Sequence, residues 1–320
     1  MKNFWEKLNK PFFALAPMEE VTDVAFREMF ARYGKPDVMF TEFVCVDALV
    51  HPEARKKMEV DLKFTDKQRP MVAQIWGRSP LLFEEAARIV ASLGFDGIDI
   101  NMGCPQDREV KLGACAALIQ TPALAAEIIK ATKKGAPSLP VSVKTRLGYN
   151  HNTIETWLKQ LLAEEPAAVT IHGRTKKEKS KVPANWEEIK KAVQIRNSLE
   201  SATLIIGNGD VRSRQDGLEK IRTAGVDGVM VGRGAFGNPW FFREDGYVPL
   251  PREKLAVMLE HARLFEEWLP EKSFYIMRKH FKAYAAGFEG APELRARLME
   301  TKSAAETAQV VEDWQKQRES

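Results

Sequence analysis

Cysteine is scarce. The 320 residues hold three, Cys45, Cys104 and Cys115. An odd handful in so long a chain excludes a disulfide-built scaffold and fits a reducing compartment. The five histidines, His51, His151, His172, His261 and His280, are scattered. None stands at ligand spacing from a cysteine or carboxylate, so no metal site is expected. Long apolar runs are missing too: Phe12 to Met18 meets Glu19-Glu20 at once, so no membrane span is expected. The start, Met1-Lys2-Asn3-Phe4-Trp5-Glu6-Lys7, is broken by charge, so a secretory signal is not expected and a cytoplasmic location is. There is no low-complexity segment and no sign of an obligate protein partner. Charge of neither sign dominates, the net being +4, which permits an anionic partner without demanding one.

What the chain does have is a repeated alternation of short apolar runs with helical patterns. The runs are Phe12–Met18, Asp37–Phe43, Met71–Gly77, Gly97–Gly103, Pro140–Arg146, Ala168–Gly173, Thr203–Gly209 and Gly228–Gly234. The first is followed by a helix expected over Thr22–Tyr33 with Thr22 as its cap, the second by a less regular stretch to Phe64. Ser79-Pro80 opens the helix after the third. Eight apolar strands alternating with helices suit a (β/α)8 TIM barrel of roughly 250 residues. A doubly wound sheet is the competing α/β architecture. The barrel is preferred because Met18, Gln74, Asn101, Lys144, His172, Asn208 and Arg233 recur at the C-terminal ends of the runs. In a barrel such ends converge on one mouth.

The pattern changes near Gly246. Beyond the linker Pro249-Leu250-Pro251, helices are expected over Arg252–Leu269, Ser273–Gly287, Pro292–Met299 and Ser303–Gln317. Phe274, Met277, Phe281 and Tyr284 make one apolar stripe. The expected division is a barrel over residues 1–246 and a C-terminal all-helical domain over 247–320.

Asn101-Met102-Gly103-Cys104-Pro105 is the stretch around which the rest makes sense. It holds a cysteine on a rigid turn at a strand end, where a barrel keeps its chemistry. A thiol there can serve as a general acid or a nucleophile, whereas Cys115, in a small-residue turn, reads as structural. Gly207-Asn208-Gly209-Asp210 and Gly232-Arg233-Gly234 follow the last two strands and suit a cofactor phosphate. Lys144 inside an apolar strand needs a partner or a ligand, and an electron-rich flavin edge would supply one. Gln74 could bond the same ring through its amide, and His172 reads equally well as a structural histidine.

These motifs, taken in order, resemble the tRNA-dihydrouridine synthases. The likeness rests on Ala16-Pro17-Met18 with Thr22-Asp23 and Phe26-Arg27, on Asn101–Pro105 with Lys111-Leu112-Gly113-Ala114, and on Val143–Gly148. Ile171–Thr175, the two glycine loops, Met277–His280 and Gly287-Phe288 extend it over almost the whole chain. The resemblance implies an FMN-binding barrel that uses NADPH to reduce the C5=C6 bond of uridines in tRNA. Hydride would go from reduced FMN to C6 and a proton from Cys104 to C5. Pro17, Met18, Glu19, Gln74, Lys144, His172, Asn208, Gly209, Asp210, Gly232 and Arg233 would line the FMN. Asn101 and Arg174 would face the substrate. Glu19 departs from the family, which often has a small residue there, and so does Cys115.

The loop Arg174-Thr175-Lys176-Lys177-Glu178-Lys179-Ser180-Lys181 is strongly basic, and Arg278, Lys279 and Lys282 lie on the polar side of a tail helix. Lys176, Lys177, Arg278 and Lys282 are therefore expected to meet tRNA phosphates, with the target base flipped out of its stack. Two rival readings are a flavin barrel for a small enone and an RNA-binding protein without catalysis. The NADPH preference comes from the resemblance alone, since the chain has no dinucleotide fingerprint.

Overall fold

In a computed structural model, residues 3–319 are described. Met1, Lys2 and Ser320, parts of the expected N-terminal start and helical tail, lie outside the described residues. The strands are β1 Phe12–Leu15, β2 Val38–Cys45, β3 Met71–Trp76, β4 Gly97–Met102, β5 Val141–Arg146, β6 Ala168–His172, β7 Leu204–Asn208 and β8 Gly228–Val231. All pair in parallel, and β8 returns to β1 to close the ring. The eight expected runs are thus the eight strands of a closed barrel, and the doubly wound alternative falls because an open sheet has no such closing pair.

The helices in chain order are α1 Val24–Tyr33, α2 Val46–Val50, α3 Pro52–Asp61, α4 Pro80–Ser92, α5 Asp107–Lys111, α6 Pro122–Gly135, α7 Ile154–Leu162, α8 Trp186–Ser198 and α9 Arg214–Ala224. The tail adds α10 Pro251–Trp268, α11 Met277–Tyr284, α12 Ala291–Leu298 and α13 Ala304–Glu319. Among the described residues no helix is long and apolar enough to cross a membrane.

Three local expectations are corrected. Asp23, not Thr22, caps α1, its carboxylate accepting from the Phe26 N–H at 2.9 Å. The Thr22 hydroxyl is already committed to the Met18 backbone, accepting from its N–H at 2.9 Å and donating to its carbonyl at 3.1 Å. The irregular stretch before Phe64 holds α2 and α3; α3 buries no residue, so it shows no apolar stripe in the sequence. The expected helix over 273–287 divides into a single 3-10 turn, Phe274–Ile276, and the shorter α11.

Strand alternation sorts the barrel into two apolar layers. Phe12, Ala14, Val38, Phe40, Val72, Ala168, Ile206 and Met230 cluster together inside, closed below by Trp5, whose ring lies 5.9 Å from Phe12. Phe13, Leu15, Met39, Ile75, Ile98, Ile100 and Val169 face the helices. Over β3 to β5 the inside turns polar, with Gln74, Asp99 and Ser142 in adjacent register and all buried.

The tail helices form their own core of Leu255, Met258, Phe265, Met277, Phe281 and Leu294, which takes in Val24, Ala25 and Met29 of α1. Arg27 on α1 is fully buried and donates to Gln68 and to the Thr22 and Lys63 carbonyls, so it is spent inside the fold. The tail also reaches the loop after β1. Lys279 pairs with Glu20 at 3.1 Å, and Lys272 contacts Glu42 at 2.5 Å and Asp61 at 2.7 Å, while Glu42 accepts from the Glu20 N–H. Burial works against the Lys272 charge, but Glu42 and Asp61 outweigh it and hold the ammonium above its ordinary range. One cation cannot satisfy two carboxylates fully, and burial pushes Glu42 up to about 7.

Removing Lys272 leaves Glu42 buried and unpaired, which costs more than the pair itself contributes. Lys272→Met is expected to lower the free energy of unfolding by about 3 kcal/mol at neutral pH. Adding Glu42→Gln should restore much of that loss in urea titrations; a double variant no more stable than the single one would show that the charge pairing is not what matters.

Candidate functional site at the barrel mouth

Parallel strands all end at the same rim, so register decides which side chains meet there. Asn101 stands opposite Lys144, Arg146 opposite His172, and His172 opposite Asn208. A cavity of about 400 Å³ opens at this rim, lined by Pro17, Met18, Lys144, His172, Asn208, Gly209, Asp210, Gly232 and Arg233. A larger cavity, about 770 Å³, lies at the opposite end against Trp5, Lys159, Pro166 and Thr203 and holds none of the candidate residues. Size does not select it, because barrel chemistry sits at the C-terminal face.

The rim cavity is electropositive. Lys144 donates no hydrogen bond to any described residue, and burial, then Arg146, pushes its ammonium down to about 8. His172 accepts from Arg174 at 2.9 Å through Nε2, which leaves the proton on Nδ1. Burial and the cations Lys144, Arg146 and Arg174 push its imidazole down to about 2, so it is neutral at every working pH. The Asn208 amide donates to the Met230 carbonyl at 2.8 Å, fixing its oxygen outward from that bond. Gly209 has φ +126, and a Cβ there would lie 2.6 Å from the Ala184 side chain, so only glycine makes this turn. Asp210 joins Arg174 to Arg233, the latter at 3.2 Å. Burial opposes its charge, but Arg174 and the Ala184 N–H hold the carboxyl below its usual range.

Cys104 borders a second cavity, about 510 Å³, with Glu19, Glu20, Phe43, Pro105 and Gln106. The loop after β1 parts the two: Pro17 and Met18 face one, Glu19 and Glu20 the other. Burial, then Glu109 and Glu20, pushes the Glu19 carboxyl up. The cysteine turn is held by hydrogen bonds from three sides. Asn101 Oδ1 accepts from the Gly103 and Cys104 N–H groups at 3.1 and 2.9 Å, Arg146 Nε donates to the Gly103 carbonyl at 2.6 Å, and the Ala116 N–H donates to the Cys104 carbonyl at 3.3 Å. Buried Cys115 lies against Cys104. Donation from the Cys115 thiol lowers the Cys104 proton affinity, while the same bond and burial push Cys115 up. Cys115, read as merely structural in the sequence, therefore touches the candidate acid.

Several expected contacts sit elsewhere. Gln74 is fully buried, donating to Asp99 at 2.7 Å and accepting from Asn101 at 3.0 Å. Asn101 is buried, donating to Gln74 through Nδ2 and accepting from the cysteine turn through Oδ1. Arg174, expected near RNA, is 2 % exposed and donates to the Val182 carbonyl, His172 and Asp210, so it braces the rim from below. Lys176 is half-buried over the Tyr149 ring and 3.6 Å from Asp107, whereas Lys177 and Lys282 are exposed. Arg278 stacks on the exposed Tyr275 ring at 4.2 Å. Asp99 and Arg146 went unnoticed as candidates. The signal for Asp99 was present, a charge amid the apolar run Gly97-Ile98-Asp99-Ile100. Among the described residues no group of histidine, cysteine and carboxylate side chains is arranged to hold a metal ion.

The profile of the dihydrouridine synthase (Dus) family matches residues 14–319. A probable tRNA-dihydrouridine synthase of Staphylococcus aureus (strain COL) is 43% identical over 319 residues, covering 99% of this chain and 97% of that one. A probable tRNA-dihydrouridine synthase 2 of Bacillus subtilis (strain 168) is 42% identical over 318 residues, 98% and 97% of the two chains. Among solved structures, histamine dehydrogenase from Rhizobium sp. 4-9 superposes with a TM-score of 0.55 at 11% identity, over 79% of this chain and 48% of that one. A 2-naphthoyl-CoA reductase complex gives 0.55 at 10% identity, over 72% and 49%. Both likenesses concern the fold alone.

Donation by Cys115 favours the Cys104 thiolate, the form that alkylates. Cys115→Ala removes the donor, raises the Cys104 pKa and should move the pH profile of Cys104 carboxymethylation to higher pH. At pH 7 the rate, followed by peptide mass mapping, should fall several-fold; an unmoved profile would show that Cys115 does not tune Cys104.

Proposed function

This chain belongs to the dihydrouridine synthase family, and from that premise we propose that it is a flavin-dependent tRNA-dihydrouridine synthase. The substrate is a uridine of tRNA, the cofactor FMN and the reductant NADPH, which makes the cytoplasm its place of work. The catalytic unit is assigned to residues 1–246 and the RNA-facing helical unit to 247–320. One observation carries the reading: a cysteine on a braced turn stands near a half-buried lysine that has no acceptor among the described residues, both at the mouth of a closed parallel barrel.

The residues present fit an FMN. Lys144 is a half-buried cation in want of an electron-rich partner, which the N1–C2=O edge of a flavin provides. Gly209 and Gly232 keep side-chain bulk out of the cavity, and the exposed Arg233 lines it with Gly232 and Gly234, a set suited to a phosphate. Pro17, Met18, His172, Asn208 and Asp210 complete the wall. Glu19 is assigned to the Cys104 side, and Gln74 acts from beneath. When bound and reduced, the flavin supplies hydride for C6 of the uracil.

The chain's own residues do the rest. Hydride arriving at C6 leaves negative charge on C5 and the C4 carbonyl, and Cys104 delivers the proton to C5. The lowered proton affinity of Cys104 makes it the stronger acid, while Cys115 beneath steadies the thiolate left behind. Neutral His172 donates through Nδ1 without adding charge, and Arg146 fixes the turn through the Gly103 carbonyl. Exposed Glu19 and half-buried Phe43 line the space where a flipped base is received.

Purified protein should show a flavin spectrum that NADPH bleaches and unmodified tRNA restores. Cys104→Ala should keep the flavin and its bleaching but lose dihydrouridine formation. Restoration by free uridine as readily as by tRNA would replace this reading with a small-enone reductase, and protein colourless even after FMN is added would end it.

For RNA, the exposed cations matter, because Lys176 and Lys179 already contact Asp107. Replacing Lys177, Lys181 and Lys282 together by Ala should reduce the slope of log affinity against log salt by about 2. An unchanged slope would remove these residues from the tRNA surface.

A further inference from the structure

An unbroken hydrogen-bonded chain runs inside the barrel from β5 to the cysteine turn. Ser142 Oγ donates to Asp99 Oδ1 at 2.6 Å, Gln74 Nε2 donates to Asp99 Oδ2 at 2.7 Å, and Asn101 Nδ2 donates to Gln74 Oε1 at 3.0 Å. Asn101 Oδ1 then accepts from the Gly103 and Cys104 N–H groups. Every side chain in it is buried, and Asp99, at 0 % exposure, is the only charged member.

The polarity of this chain is fixed independently at both ends. An ionised carboxylate only accepts and a backbone N–H only donates. Between them stand two amides, each of which can turn by half a revolution and exchange donor for acceptor. Only one setting of the pair satisfies both ends, and it is the observed one. We propose that Asp99 is a positioning residue that sets the Cys104 turn, acting through the amides of Gln74 and Asn101. The proposal rests on Cys104 as the proton donor of the reaction assigned above. Burial pushes the Asp99 carboxyl up to about 6, with Ser142, Gln74 and Lys144 opposing, so near neutrality it is ionised and acts only as an acceptor.

The consequence is a defined failure. Asn101→Asp sets two carboxylates against the one amide of Gln74, so whichever way that amide turns an oxygen faces an oxygen and the turn shifts. Asp99→Asn in the same protein repairs it. The carboxylate at 101 accepts from the turned Gln74 with one oxygen and from the Gly103 and Cys104 N–H groups with the other, while the amide at 99 donates to Gln74 and accepts from Ser142. Asp99→Asn alone is milder, because its nitrogen can donate to Ser142 Oγ while that hydroxyl turns its own proton to the Ile98 carbonyl, 3.4 Å away.

The test is a double-mutant cycle on the holoenzyme, read by Cys104 alkylation with iodoacetamide and by kcat and KM for tRNA. A displaced reacting group costs about 10- to 100-fold in rate. Asn101→Asp should lower kcat by that range with KM for tRNA nearly constant and should alter the Cys104 alkylation rate. Adding Asp99→Asn should recover most of both, a coupling that loss of packing alone does not produce. An Asn101→Asp variant with unaltered alkylation and kcat, or a double variant no better than Asn101→Asp alone, overturns the proposal. If Asn101→Asp does not fold, a folded, alkylation-competent double variant supports the proposal and an unfolded one overturns it. Should the wild-type protein not act on tRNA, the functional reading falls, while the alkylation cycle still decides the role of Asp99.

Discussion

Ring closure is the constraint from which the rest of this molecule follows. Eight parallel strands bonded in a circle send every second side chain into one shared interior, and their ends onto one rim. Below the rim an inward polar group has no open solvent to turn to, so a neighbour at nearly the same height must answer it. On the side of β1, β2 and β6 to β8 the answer is apolar packing around Phe12, Phe40 and Ile206. On the side of β3 to β5 it is a network of hydrogen bonds anchored on Asp99. The asymmetry puts the stiff polar scaffold under Cys104 and leaves the smooth apolar wall beneath the phosphate-suited loops.

The rim carries more buried positive charge than its acidic neighbours neutralise. Lys144, Arg146 and Arg174 are all largely withdrawn from water, and Asp99 and Asp210 are the nearest counter-charges. The strain is visible in Lys144 and Arg146, which burial pulls down to about 8 and about 10. Such a surplus is stable in a folded protein when an anion completes it, and destabilising otherwise. The same field keeps His172 neutral.

Much of this was legible because barrels repeat one rule. Each strand is a short apolar run with a polar residue at its exit, and that pattern shows in the chain without tertiary information. The rim residues Lys144, His172, Asn208 and Arg233 could be read from it directly. The pattern cannot reveal whether a polar side chain at a strand end faces the ligand or the scaffold. Arg174 and Asn101 look like ligand groups in sequence, yet both bond neighbours distant in the chain, as does Arg27 on α1. Their partners, Asp210, Gln74 and Gln68, are set by strand register and loop return, which composition does not encode. Asp99 was hidden for the converse reason, since a single acid in an apolar run reads as a break in the pattern rather than as its centre.

The seam between β1 and β8 has a consequence for how the protein comes into being. β1 leaves the ribosome well before β8, one of its two strand partners some two hundred residues later, and α1 buries Val24, Ala25 and Met29 under helices that are synthesised after the whole barrel. Through most of translation the opening strand and helix present unpaired backbone and apolar surface, the kind that invites off-pathway association. The tail is thus more than an appendage to a finished barrel: it is a late shield for an early segment. A nascent chain halted before residue 251 would carry a closed ring with a bare flank, an obvious client for a holding chaperone.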